Sequence, residues 1–161
     1  MTTKEFNDCV DLYSDNLYRF ILKSVKDKDK AKDIVQDTYE KLWKKVDEVE
    51  SKNAKSYMFT TAYRTMIDSI RRESKSVMME EHHEELRFTE NGYSDLKQII
   101  NRALDTLPEI QKSVVMLRDY EGYDYIEIGK ITGLNESQVK VYIYRARLAL
   151  KEYLGKIESI V

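Results

Sequence analysis

The side chains best suited to grip a charged polymer stand near the C-terminal end of the chain. Ser137, Gln138, Lys140, Val141, Tyr144, Arg145, Arg147 and Lys151 combine hydrogen-bonding groups, cations and an aromatic ring. They interleave with Val139, Ile143, Ala146 and Leu150, which follow the i, i+4, i+7, i+11 spacing of a buried helical stripe. The two sets therefore occupy opposite faces of one helix, and the outward face is basic. Between residues 140 and 156 five basic residues meet one acid, a local charge of +4 in a chain whose net charge is −2. Such a surface has the chemistry to enter a DNA major groove.

A second group lies in residues 56–72. Tyr57, Phe59 and Tyr63 alternate with Arg64, Arg71 and Arg72, aromatic faces for bases and cations for phosphates, as single-strand binding requires. Phe59 and Ile67 are expected to pack inward, whereas Lys55, Tyr63, Arg64, Arg71 and Arg72 are expected to reach nucleic acid. A third group, Asp33, Gln36, Asp37 and Glu40, stands at i, i+3, i+4, i+7 and forms one polar stripe. It suits either a basic partner helix or plain solvation.

Catalytic chemistry has no comparable set. There is no phosphate loop and no Cys/His pairing, and no acid pair falls in an apolar stretch. The single cysteine, Cys9, excludes an internal disulfide, and the adjacent His82 and His83 point apart on any helix. No metal or cofactor is expected.

These side chains must be carried by helices. Five glycines and one proline in 161 residues are too few to turn an all-β chain, and 35% of the residues are charged. No apolar run exceeds four residues, so a cytoplasmic protein without membrane insertion is expected. Residues 6–25 predict one amphipathic helix. A second carries Ile34, Val35, Tyr39, Leu42, Trp43 and Val46 toward a core, and residues 56–72 predict a third, with Met58, Phe59, Ala62, Met66, Ile67 and Ile70 inward. Residues 74–95 hold two basic and six acidic residues with little period, which predicts a linker. The expected fold class is all-α, with two small helical domains, 1–73 and 96–161, joined by the acidic flexible linker 74–95.

In the second domain, residues 96–107 predict a helix stopped by Pro108, and residues 109–120 another stopped by Gly122. Beyond it, Gly133 allows a left-handed turn, Leu134 fills the angle, and Asn135 caps the last helix with Gln138 completing a capping box. This is a helix-turn-helix pattern.

With these motifs in place, the sequence resembles the sigma-70 family of bacterial RNA polymerase sigma factors, in particular its short extracytoplasmic-function (ECF) group. Residues 31–43 (AKDIVQDTYEKLW) look like the region two motif that grips the polymerase clamp helices. Residues 56–72 look like the segment that opens and reads the minus-ten element. LPE at 107–109, LRDYEG at 117–122 and residues 139–147 look like region four, which binds the minus-thirty-five element. The resemblance implies polymerase contact for Asp33, Gln36, Asp37 and Glu40, and a flipped-base pocket in residues 49–55, where Ser51, Lys52 and Asn53 can hydrogen-bond a base edge.

The resemblance also implies minus-thirty-five contact for Gln138, Lys140, Val141, Tyr144 and Arg145, with Arg118, Arg147 and Lys151 as backbone anchors. Core RNA polymerase (clamp helices and flap), promoter DNA and an anti-sigma factor are the partners it implies. In such a protein the linker crosses the polymerase cleft, so Glu80, Glu81, Glu84 and Glu85 would occupy a channel built for anionic nucleic acid. Three residues depart from the pattern: Lys30 where an acid is common, Gly129 where alanine is usual, and Arg64 where a small amide is common.

Two other readings stay open on sequence alone. An autonomous helix-turn-helix regulator would use the N-terminal helices for dimerisation or sensing and bind a palindrome without polymerase. A helical adaptor would have no use for the basic face of residues 140–156.

Overall fold

Thr2 accepts a hydrogen bond from the Glu5 N–H while the Glu5 carboxylate accepts one from the Thr2 N–H, and this reciprocal pair starts helix α1 (Thr3–Val25). The structure, a computed structural model, describes residues 1–77 and 94–160, with the backbone alone at 75–77, 94 and 157–160. The chain divides into two compact units, Met1–Glu85 and Leu86–Val161.

In the first unit, α1 ends at Lys26 in the left-handed conformation, and the Asp27 carboxylate at once caps the N–H groups of Asp29 and Lys30 to begin α2 (Lys28–Lys44). A short 3-10 turn, Ser51–Asn53, leads into α3 (Ala54–Val77). The three helices pack around Leu17, Phe20, Ile21, Ala31, Leu42, Met58, Phe59, Ala62 and Met66. Phe20 and Phe59 bring their ring centroids to 5.6 Å. Trp43, expected inside, is 48% exposed at the rim, where it meets Phe6 edge to face.

Helix α3 starts two residues earlier than its apolar period predicts and runs past Arg72. No glycine or proline interrupts it, and a Lys30–Glu73 ion pair ties its late turns to the start of α2. Residues 74–77 and 94–95 of the expected linker are thus helical. Its remainder, with Glu80, Glu81, Glu84, Glu85, His82 and His83, lies outside the described residues.

In the second unit, α4 (Ser94–Asp105) is followed by Pro108 and α5 (Glu109–Asp119). Every residue from 112 to 117 on α5 is buried, so this helix is the unit's axis. Asp124 caps α6 (Tyr125–Thr132) through the Glu127 N–H at 2.8 Å, and Gly133 ends it at φ +82°. Asn135 and Gln138 then exchange backbone-to-side-chain hydrogen bonds at 3.0 and 2.8 Å and start α7 (Glu136–Ile160).

Gly129 is where α6 meets the turn: a Cβ there would stand 2.6 Å from the Leu134 carbonyl oxygen. Alanine gains up to about 1 kcal/mol in helix propensity, but overpacking against backbone costs about 1–3 kcal/mol. Gly129→Ala is therefore expected to lose about 1 kcal/mol net. A lower denaturant midpoint at unchanged slope would bear this out, and an unchanged or higher midpoint would show that the turn yields freely.

Candidate nucleic-acid interface

Helix α7 separates its two faces as its period predicts. Val139, Ile143 and Ala146 are buried and Leu150, expected with them, is half-buried, while Ser137, Gln138, Lys140, Val141, Tyr144, Arg145, Arg147 and Lys151 are all exposed. Tyr144 is 68% exposed, so it is no packing aromatic within the unit. Gln138 accepts a hydrogen bond from the Asn135 N–H at its side-chain carbonyl, which orients its amide NH2 as a donor that it can offer to a base.

The cations of this face are held differently from one another. Arg118 donates to the Tyr123 carbonyl at 2.9 Å and lies 4.7 Å from the centre of the Tyr125 ring. Lys140 stands 5.5 Å from the centre of the same ring and pairs with Glu136 at 3.3 Å. Arg147 reaches back to Asp119 on α5, and this hydrogen bond pushes its pKa up. Arg145 and Lys151 extend on the exposed face. Tyr125 and Asp119 were not legible as part of this surface, because the turn between α5 and α6 alone brings them against α7.

On α3, Tyr57, Arg64 and Arg71 are seven residues apart, so they fall along one line of the helix at intervals of about 10 Å. Arg64 and Arg71 are exposed and Tyr57 is half-buried. Arg72 turns to another side. It lines a groove between α2 and α3 together with Lys30, Asp33, Asp37 and Asp68. In the polar stripe Asp33, Gln36 and Glu40 are exposed, and Asp37 is half-buried and paired with Lys41 at 2.9 Å.

One expected nucleic-acid residue, Tyr63, is placed in the core, and a second, Lys55, is partly drawn inward. Tyr63 is 7% exposed: it follows Phe59 by one helical turn and shares its inward row, so its ring belongs to the core. Lys55 is half-buried with its ammonium 5.6 Å from the centre of the Tyr13 ring and 5.9 Å from that of Phe59. Aromatic faces supplied by two helices draw it inward. Ser51, Lys52 and Asn53 are exposed on the 3-10 turn. Ser51 faces Glu5 and Cys9 of α1, and burial pushes the Cys9 thiol up.

Among the described residues no group of His, Cys, Asp and Glu could hold a metal ion, and no helix is long and apolar enough to cross a membrane. Two helical units, the second a helix-turn-helix with a basic and aromatic outer face, have the architecture and surface chemistry of DNA-binding transcription factors. Residues 9–76 match the description "Sigma-70 region 2" and residues 97–150 match "Sigma-70, region 4".

The chain is 32% identical over 151 residues to RNA polymerase sigma factor SigV of Bacillus subtilis (strain 168), covering 92% of this chain and 90% of that one. It is 25% identical over 145 residues to ECF RNA polymerase sigma factor SigM of the same organism, covering 87% and 89%. Among solved structures, the sigma factor RpoE in complex with the anti-sigma factor NepR from Bartonella quintana is similar with a TM-score of 0.81 at 28% identity, over 95% of this chain and 98% of that one. The chain belongs to the sigma-70 family, as an ECF sigma factor.

Proposed function

We propose that this chain is a non-enzymatic specificity subunit, which binds core RNA polymerase and directs initiation at promoters carrying a minus-ten and a minus-thirty-five element. The observation that carries the reading is the pairing of two displays in one family chain: Tyr57, Arg64 and Arg71 along α3, and the outer face of α7. Residues 1–73 act as region two and 96–161 as region four, with 74–95 between them.

Asp33, Gln36, Asp37 and Glu40 meet the clamp helices, joined by Arg72 from across the groove, and the second unit meets the flap. Ser51, Lys52 and Asn53 hold the flipped base. Arg145 reads a base edge, Ser137, Gln138, Val141 and Tyr144 contribute shorter contacts, and Arg118, Lys140, Arg147 and Lys151 serve the phosphates. The protein works in the cytoplasm and is restrained by an anti-sigma factor, as the complex of the RpoE relative suggests.

Run-off transcription from a promoter library, with core polymerase and with or without this chain, tests the proposal. Transcripts that need both components and share two spaced elements are the expected result. Tight palindrome-specific binding by the chain alone, without new transcripts, would establish an autonomous regulator instead.

A further inference from the structure

Asp119 and Arg147 stand 28 residues apart in sequence and meet edge to edge, with Nε donating to Oδ2 at 3.3 Å and Nη2 to Oδ1 at 2.6 Å. A guanidinium offers this same fork to a phosphate. Both side chains are about half exposed, so a phosphate has access to displace the carboxylate. Packing does not depend on the pair: α7 is already seated through Val139, Ile143 and Ala146, and exposed ion pairs add little to stability.

We propose that Asp119 is an internal phosphate surrogate, which occupies the fork of Arg147 in the DNA-free protein and lowers the affinity of the second unit for duplex DNA. This rests on the reading of α7 as a DNA-contacting helix and deepens it. When Arg147 changes partner, one charged fork is lost as another forms, and a freed carboxylate is left beside the DNA backbone. That carboxylate takes up a cation as the DNA releases one, so Arg147 contributes little to either affinity or salt dependence.

The test is promoter-duplex binding by the full chain in complex with core polymerase, titrated over salt, for wild type, Asp119→Asn, Arg147→Met, the double variant and Arg145→Ala. Asp119→Asn is expected to tighten binding by about two- to fivefold and to steepen the dependence of log K on log salt by nearly one. Both gains should vanish in the Arg147→Met background. If Asp119→Asn binds no tighter while Arg145→Ala loses sequence selectivity, the surrogate is overturned and the DNA reading stands. A gain that persists without Arg147 also overturns it, since general charge would then be the cause. If no variant changes binding, both ideas fall together. Denaturant midpoints close to wild type confirm that each variant is folded.

Discussion

Asp105→Ala should destabilise the second unit by about 2–4 kcal/mol, while Lys112→Met should cost much less. Lys112 sits on the buried axis helix α5 with its side chain 4% exposed, and its ammonium pairs with Asp105 of α4 at 3.0 Å. Removing the carboxylate takes from a buried ammonium the partner it meets at 3.0 Å, so less of its desolvation is offset; removing the ammonium leaves a partly exposed carboxylate that water can serve. A methionine also keeps most of the volume that the buried Lys112 side chain fills. Denaturant unfolding of the two variants measures both numbers. Equal costs, or a larger cost for Lys112→Met, would mean that the pair stabilises by attraction rather than by cancelling a burial penalty.

Arg145→Ala is expected to reduce transcription from promoters with the preferred minus-thirty-five element by about 5- to 150-fold, the equivalent of one lost bidentate base contact at about 1–3 kcal/mol. Arg145 lies on the exposed face of α7 beside Val141 and Tyr144, so stability should move by no more than about 0.5 kcal/mol. Lysine at this position keeps the charge but not the fork, so Arg145→Lys should restore little of the selectivity. Run-off assays on promoters that vary in the minus-thirty-five element separate the outcomes. A loss of the same size on every sequence would assign Arg145 to a phosphate instead of a base.

Local pattern sufficed for the helices and for most of their faces. The buried row Val139, Ile143 and Ala146, the turn at Gly133 and the Asn135–Gln138 capping box depend on residues within two helical turns of one another, and their periods are visible in the chain. The segment 56–72 was less legible. An aromatic-and-arginine alternation suits a binding face and a core face alike, and only the packing of α1 and α2 against α3 put Tyr63 inside and left Arg64 and Arg71 outside. Trp43 erred the other way, since its apolar spacing fits a core that its place near the end of α2 does not reach.

What the sequence by itself determined was a helical chain of two units, a helix-turn-helix, and the identity of the basic face on α7. Tertiary structure alone decided which cations on that surface have partners from other helices. Asp119 meets Arg147 across 28 residues, and Tyr125 meets both Arg118 and Lys140. Helical periodicity reports which side of its own helix a residue occupies, whereas the partner of a charge depends on which other helix the turns bring alongside it.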